Sequence, residues 1–360
     1  MATTPATWTA DEHLDPAHLN SRITDVNIDL AKPPYATLWG SPSYTYTGAS
    51  SVGGIRFTSS LADRMTVTTS GSNKAGVKVA EAGWYSIELT TTAEVGGGTP
   101  DSHFIVFITV NGTFVGRGIV TARNAYQQTA FVHRLLDLKA GDVITASVFT
   151  DKGRVVTFGS SEAMSAGCRL SVLRVSSSPW SSPPALPALK SWQLRELVTA
   201  EAFNQQVRDV QKWLRNPPLF TAARTKSVTV SGGTAVNLPW NTADLNGFIA
   251  VKNSSGEITG FSPKTAGRYL IHGQVCGKLD KSLGHLCLYL KVNGTTKGMG
   301  VAQYENAAYM DSAMSSVIVS LRTSDVISTD VYVSSGRVGN ITGTAEQQLA
   351  SGFLGYRIGA

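Results

Sequence analysis

Residues 103–120 read HFIVFITVNGTFVGRGIV, two apolar β-rich runs separated by an Asn-Gly pair. Asn111 and Gly112 both tolerate the positive φ angles that a two-residue hairpin turn requires. Comparable short runs of valine, isoleucine, threonine and aromatic residues, punctuated by glycine, asparagine and serine, continue on both sides. Such punctuation is typical of a β-sandwich or jelly roll. In the first half of the chain it predicts strands at 55–58, 64–69, 77–80, 83–93, 103–110, 113–122, 128–137, 142–149 and 166–175.

The second half of the chain repeats the landmarks of the first in the same order. Gly83-Trp-Tyr matches Gly267-Arg-Tyr, Val110-Asn-Gly matches Val292-Asn-Gly, and Leu138-Lys-Ala-Gly-Asp matches Leu321-Arg-Thr-Ser-Asp. The offset between partners stays between 182 and 184 residues, so insertions are small and confined to loops. The second copy lacks the glycine before Asp325, and we expect that turn to differ. The repeat predicts two tandem sandwiches, a mainly β fold.

A second repeated segment precedes each β-rich region. Residues 7–35 align with 191–219 with eight identities in 29 positions, including the proline pairs that end each copy. Asp15 and Thr199 are suited to cap a helix, and each Pro-Pro pair ends it because proline disfavours helical backbone before it and donates no hydrogen bond. The segment therefore predicts one helical connector before each sandwich.

Apolar residues follow a 4-3-4 spacing along one stripe of each predicted helix. They are Leu19, Ile23, Val26 and Leu30 in the first copy, and Phe203, Val207, Val210 and Leu214 in the second. Two interpretations remain open: the stripe packs on its own domain, or it forms a seam between protomers or against another protein.

A stretch rich in proline and serine at 176–190 is a stiff spacer. The predicted domains are a connector (1–38), a first sandwich (39–176), the spacer with the second connector (177–220) and a second sandwich (221–360).

The composition argues against several classes of protein. Hydrophobic residues make up 42% of the chain and charged residues 16%, and no apolar run approaches the roughly 20 residues that cross a bilayer. The N-terminus lacks the basic start and apolar core of a secretory signal, so we expect neither secretion nor membrane insertion.

The net charge of +6 is concentrated around residues 190–226 rather than on a folded module, which argues against nucleic acid as a partner. Cys168, Cys276 and Cys287 lack metal-ligand spacing and are expected to be buried free thiols.

The order of the β landmarks resembles that of the C1q/tumour-necrosis-factor-like jelly-roll family, with a final strand after Gly167 and again after Gly352. This resemblance covers both β-rich regions and implies a homotrimer of jelly rolls used for binding. The connector, with its tryptophan, acidic-apolar stretch, helix and Pro-Pro pair, resembles the N-terminal segment of minor tail proteins from phages of actinobacteria. Together they imply a virion protein of a phage tail, assembled in the host cytoplasm, that docks on other tail proteins and contacts a glycan of the host surface.

No motif for catalysis, cofactor or metal binding is present. The six histidines form no HExxH motif and no close pair, and there is no GxSxG elbow. A glycan-cleaving enzyme needs two facing carboxylates. The acids that could be proposed for this role are expected to be solvated loop residues; they are Glu94, Asp101, Asp151, Glu305 and Asp311. We therefore expect no enzyme activity, no cofactor and no metal.

Residues 303–311 are the candidate receptor contact. Tyr304, Glu305, Asn306, Tyr309 and Asp311 combine aromatic rings with amide and acid groups, which can stack on a sugar and hydrogen-bond its hydroxyls. The counterpart in the first half is the segment 124–128. A strand or core role for the tyrosines remains open. The alternative functions are an envelope-glycan depolymerase on the same scaffold and a purely structural collar or capsid-decorating subunit.

Overall fold

The computed structural model describes residues 33–48, 52–96, 101–123, 126–151, 153–177, 199–304 and 310–359. These residues form two β-sandwiches, which confirms the predicted mainly β fold. The strands of the first sandwich are β1 (Tyr35–Trp39), β2 (Tyr44–Thr47), β3 (Gly53–Gly54), β4 (Ser59–Asp63), β5 (Met65–Ser70), β6 (Asn73–Val79), β7 (Gly83–Gly96), β8 (Asp101–Val110), β9 (Thr113–Arg123), β10 (Tyr126–Leu138), β11 (Val143–Thr150), β12 (Val155–Phe158) and β13 (Arg169–Ser177). The strands of the second are β14 (Leu219–Ala223), β15 (Val228–Ser231), β16 (Val236–Asn237), β17 (Thr242–Asn246), β18 (Phe248–Lys252), β19 (Ile258–Pro263), β20 (Gly267–Leu279), β21 (Gly284–Val292), β22 (Thr295–Tyr304), β23 (Met310–Leu321), β24 (Ile327–Val333), β25 (Val338–Ile341) and β26 (Gly352–Gly359).

The two sandwiches have the same topology. In the first, one sheet has the order β2-β12-β7-β13-β1-β4 with β10 also paired to β7, and the other has the order β5-β6-β11-β8-β9 with β3 paired to β11. In the second, the corresponding sheets are β15-β25-β20-β26-β14-β17 with β23 on β20, and β18-β19-β24-β21-β22 with β16 on β24. Each strand of the first sandwich thus has its counterpart thirteen strands later, and neighbouring strands of the described residues pair antiparallel. The architecture is a tandem pair of jelly rolls.

Each sandwich buries its own core between its two sheets. Side chains of β7 alternate, so that Tyr85, Ile87 and Leu89 are fully buried. The hydroxyl of Tyr85 donates to the Glu81 carbonyl at 2.7 Å, and that of its counterpart Tyr269 donates to the Thr265 carbonyl at 2.7 Å. The tyrosine of each Gly-x-Tyr landmark is therefore a core residue with a satisfied hydroxyl.

The two Asn-Gly hairpins adopt the predicted turn. Asn111 and Gly112 have φ angles of 51° and 81°, and Asn293 and Gly294 have 50° and 77°. The Asn293 amide also donates to Asp325 at 2.8 Å and accepts from the Val326 backbone at 2.8 Å, as Asn111 does with the corresponding turn at Asp142. The turn at Asp325 was expected to differ because it lacks glycine. It keeps these hydrogen bonds, although position 324 is not among the residues with positive φ, whereas Gly141 has a φ of 98°.

The helices of the described residues are short. They are α1 (Glu162–Ala166), α2 (Ala200–Phe203), a π-helical turn (Asn204–Arg208), α3 (Asp209–Arg215) and α4 (Ala345–Leu349). Thr199 caps the connector helix as predicted, its hydroxyl accepting from the Ala202 backbone at 3.2 Å. The helix ends at Arg215, before Pro217, and β14 begins at Leu219. In the same way β1 begins at Tyr35, so the predicted boundary at residue 38 falls inside a strand.

The predicted stripe of the second connector is not a uniformly buried face. Val207 and Val210 are half-buried, whereas Leu214 is 49% exposed and the neighbouring Gln211 is buried. The π-helical turn inside the stripe is one reason, because its extra residue rotates the positions that follow it. Leu19, Ile23, Val26 and Leu30 lie outside the described residues, as does the side chain of Phe203.

The three cysteines are free and buried, as the sequence predicts. Among the described helices, none combines the length and apolar character needed to cross a membrane.

Candidate functional site

The two sandwiches meet along a buried surface, which we call the junction. Ile105, Phe107 and Ile119 of the first sandwich pack in one apolar cluster with Cys276 and Ala350 of the second. A second cluster contains Trp84, Leu135, Leu219 and Leu354, again drawn from both sandwiches. Strands β8, β9 and β10 of the first sandwich therefore lie against β20, β26 and the end of α4 of the second.

A buried polar network crosses the junction. The rings of His133 and His272 contact each other with centroids 4.8 Å apart. His133 Nε2 lies 2.7 Å from Ser86 Oγ, and His272 Nδ1 lies 2.7 Å from Ser316 Oγ. Burial, reinforced by Arg134, lowers the pKa of His133 to about 3. Burial also lowers the pKa of His272 well below its usual value, so both rings are neutral at pH 7.

Further hydrogen bonds tie the sandwiches together. Gln274 Nε2 donates to the Arg117 carbonyl at 3.1 Å, and the Met310 backbone amide donates to His103 Nε2 at 3.3 Å. The Arg134 guanidinium donates to the Leu349 carbonyl. Because buried hydrogen bonds fix orientation as well as position, these contacts hold the two sandwiches in one defined arrangement.

A cleft of about 490 Å³ opens beside this network, where β9 and β10 face β22 and β23. Its polar lining residues are Thr121, Gln128, Thr129, Gln303, Asp311 and Ser312. Its apolar lining residues are Ile119, Val120, Val301, Ala302 and Met314. Thr121 Oγ1 and Ser312 Oγ are shielded from solvent and have no hydrogen-bond partner among the residues that the structure describes, so these walls retain unused hydrogen-bonding capacity.

Tyr304 and Asp311, both named as candidate receptor contacts, are buried, and for Tyr304 this is the core role that the sequence left open. Asp311 is 6% exposed and Tyr304 is 1% exposed. The Tyr304 hydroxyl lies 2.7 Å from the Gly277 carbonyl and 2.9 Å from the Asp311 carbonyl, to which it donates. Tyr304 is thus a core residue and cannot stack on a sugar. Its side chain, like that of Ala302, lies on the face of β22 that is buried in the core of the second sandwich. Glu305, Asn306 and Tyr309 lie outside the described residues.

Asp311 lines the cleft rather than projecting from a loop. Burial raises the pKa of Asp311 to about 7, although hydrogen bonds from the Ser312 and Thr121 backbone amides lower it in part. The Ser312 amide donates to Asp311 Oδ1 at 2.7 Å. Gln128, from the counterpart segment of the first sandwich, lines the same cleft. The junction therefore brings the two repeated segments to one place, although it buries part of the second.

Of the other acids considered, Asp151 has a structural role. Its carboxylate accepts the His103 backbone amide at 2.7 Å, and its pKa is lowered, since hydrogen bonds and charge from His103 outweigh the opposing effect of burial. No group of three or more potential metal ligands among histidine, cysteine, aspartate and glutamate occurs in the described part of the chain.

Sequence reasoning missed the junction residues Ile105, Phe107 and Ile119. The sequence does contain a signal for a second buried face of this strand. Residues 104–108 are all apolar, whereas a strand with one solvated face alternates apolar and polar residues. Phe104, Val106 and Ile108 fill the core of the first sandwich, while Ile105 and Phe107 fill the junction. An uninterrupted apolar strand therefore marked a strand that is buried on both faces.

No protein-family model and no curated protein sequence matches the chain. Among solved structures, the chain is similar to the Eiger TNF of S. frugiperda, with 12% identity and a TM-score of 0.30 over 41% of this chain and 96% of that one. It is also similar to murine APRIL at pH 5.0, with 13% identity and a TM-score of 0.27, and at pH 8.0, with 14% identity and a TM-score of 0.28. Both APRIL matches cover 40% of this chain and 99% of the other.

Proposed function

We propose that the chain is a non-enzymatic subunit of a phage tail, a homotrimer that docks on other tail proteins through its connectors and binds a glycan of the host surface. The observation that carries the binding part of this proposal is the cleft at the junction. The connector sequence supports the tail assignment, because its tryptophan, helix and Pro-Pro pair occur before each sandwich, as in the tail proteins that it resembles.

The lining of the cleft favours a neutral, hydroxyl-rich ligand. Its volume of about 490 Å³ lies within the roughly 300–1,000 Å³ of small-molecule sites. The amides of Gln128 and Gln303 supply donors and acceptors for hydroxyl groups, and the apolar side chains of Val301 and Met314 can cover the carbon face of a sugar ring. No lysine or arginine is among the described lining residues, which gives an anionic ligand little to bind.

The same lining argues against hydrolysis. Glycosidases flank the scissile bond with two carboxyl groups. Asp311 is the one carboxylate among the described lining residues, and backbone amides hold it. We therefore assign binding rather than cleavage to the cleft.

The double variant Gln128→Ala/Gln303→Ala should bind host glycan at least about tenfold more weakly, because each lost amide hydrogen bond is worth about 1 kcal/mol. The measurement is biolayer interferometry of the full chain on immobilised actinobacterial cell-wall polysaccharide. Gln205→Ala is the matched control, since Gln205 is an exposed amide on the connector helix and should leave binding unchanged. Equal affinity of the wild type and the double variant would remove the cleft as the binding site. Absence of the chain from purified tails, probed with gold-labelled antibody, would remove the tail assignment.

A further inference from the structure

A second pocket, which we call the charged pocket, opens at the junction and shares no lining residue with the cleft. Strands β7 and β10 of the first sandwich and β14, β17 and β26 of the second contribute to its walls. Its volume of about 340 Å³ lies within the roughly 300–1,000 Å³ of small-molecule sites. Buried apolar side chains form its floor, and they include Trp84, Leu135, Phe353 and Leu354. The pocket therefore has the size and the apolar floor of a ligand site.

Arg134 of β10 brings a guanidinium group to the charged pocket. Its Nη1 donates to the His133 carbonyl at 2.8 Å and lies 3.4 Å from Gln274 Oε1, and its Nη2 donates to the Leu349 carbonyl. All three acceptors are neutral, and no carboxylate of the described residues pairs with Arg134. Burial without a compensating anion lowers the pKa of Arg134 to about 10. The Nε–H group and one Nη2–H group take part in none of these bonds, and together they can donate to a carboxylate.

Asp244 of β17 brings the opposite charge to the same pocket. Its side chain is exposed, and it forms no ion pair within the described part of the chain. All other described lining residues are neutral. The charged pocket thus presents one cation and one anion, each without a counter-ion, from the two sandwiches that meet there.

The duplicated fold has neither charge at the equivalent positions. The register pairs Arg134 with Ile87 as it pairs Val317 with Ile271, so the counterpart of Arg134 is Val317. By the same comparison the counterpart of Asp244 is Leu61, since β14 pairs Thr221 with Asp244 as β1 pairs Thr37 with Leu61. The sandwich itself therefore requires no charge at either position, and both charges occur where the two copies meet.

We propose that the charged pocket binds a small zwitterion, an amino acid or a short peptide, whose carboxylate pairs with Arg134 and whose ammonium group pairs with Asp244. An apolar side chain of the ligand packs on Trp84 and Leu354. A neutral sugar would leave the charge of Arg134 uncompensated, and a simple anion would be repelled by Asp244. This site is separate from the cleft to which we assign glycan binding.

The first test varies the ligand. Saturation-transfer difference NMR with the full chain gives the dissociation constants of L-leucine and L-alanyl-L-leucine, which represent the free amino acid and the peptide. The stronger of the two shows which source the pocket favours. For that ligand, the N-acetylated form and the C-terminal amide should each bind about fivefold more weakly, because each lacks one of the two ion pairs.

The second test varies the protein. Asp244→Asn should bind the zwitterion about fivefold more weakly but bind its N-acetylated form as the wild type does, so that the preference for a free ammonium group disappears. The exposed position of Asp244 should leave the fold intact. Glu162→Gln is the matched control, because Glu162 is an exposed acid on α1 and lies outside the pocket. It should bind all the ligands as the wild type does.

Arg134→Gln should abolish the preference for a free carboxylate over the amide. Because Arg134 also donates across the junction to Leu349, circular dichroism must first show that this variant is folded. Asp244→Asn decides the question if it is not. Absence of binding of both zwitterions up to about 10 mM, or a preference for the free ammonium group that persists in Asp244→Asn, overturns the proposal. Binding of host polysaccharide should be the same in Asp244→Asn and the wild type, because the cleft has other lining residues.

Discussion

Gly300→Ala should destabilise the second sandwich by about 3 kcal/mol or more, at the upper end of the cost of overpacking. A methyl group at position 300 would overlap the carbonyl group and backbone nitrogen of Met314. Neither strand can move aside freely, because β22 is paired with β21 and β23 is paired with β20. The free energy of unfolding from urea titration, followed by circular dichroism, measures the effect.

The control for this substitution is Gly54→Ala. No atom lies within 4 Å of a Cβ at position 54, and its φ is not in the left-handed region, so the same chemical change should alter stability little. Gly118→Ala should reproduce the large effect in the first sandwich, where the added methyl group would meet the Phe131 carbonyl. Equal unfolding midpoints for Gly300→Ala and Gly54→Ala would show that the two strands are not in this close contact.

Acidification from pH 7 to pH 5 should weaken the folded state through the two junction histidines. Their folded pKa values lie below the unfolded value of about 6.5, so the unfolded chain takes up protons that the folded chain excludes, and stability falls as the pH drops below 6.5. Each histidine should cost about 2 kcal/mol over this interval. Asp311 acts in the opposite direction. Its pKa is raised to about 7 in the folded state, so the stability that the protonated carboxyl group contributes is lost as the pH rises towards 7 and regained as the pH falls. It offsets about 2 kcal/mol of the loss.

The variants separate these opposing contributions. Asp311→Asn should make the stability loss between pH 7 and pH 5 about twice that of the wild type, since the offset disappears. The double variant His133→Gln/His272→Gln should instead gain about 2 kcal/mol of stability between pH 7 and pH 5, because only the contribution of Asp311 remains. Urea titrations at pH 7, 6 and 5 provide the measurement. If the double variant and the wild type show the same slope against pH, protonation of the histidine pair does not govern the junction.

Local chemistry made much of the fold predictable. The Asn-Gly turns, the long strands around them and the helix cap at Thr199 depend on a few adjacent residues, and each was found where expected. The strands Tyr35–Trp39, Tyr44–Thr47, Ser59–Asp63 and Val155–Phe158 were missed. They are short, and Ser59–Asp63 is partly polar, so pairing to neighbours distant in sequence decides them rather than their own pattern.

The candidate site was less predictable because it depends on the docking of two domains. The stiff spacer predicted only a boundary between the sandwiches, and nothing in the residues near His133 and His272 indicates that these two rings meet. For Tyr304 the sequence left both a receptor contact and a core role open. Its aromatic ring and polar neighbours suggested a binding loop, whereas the alternation along β22 puts it in the core with Ala302.

The two Asn-Gly turns bear on the chemical ageing of the protein. An Asn-Gly pair loses ammonia when the glycine nitrogen attacks the asparagine side-chain carbon to form a succinimide. Here both ends of each amide are held, at Asn111 by Asp142 and the Val143 backbone, and at Asn293 by Asp325 and the Val326 backbone. The side chain cannot rotate towards the glycine nitrogen without breaking these bonds, so deamidation at these two of the three Asn-Gly pairs in the chain should be slow for as long as the sandwiches stay folded.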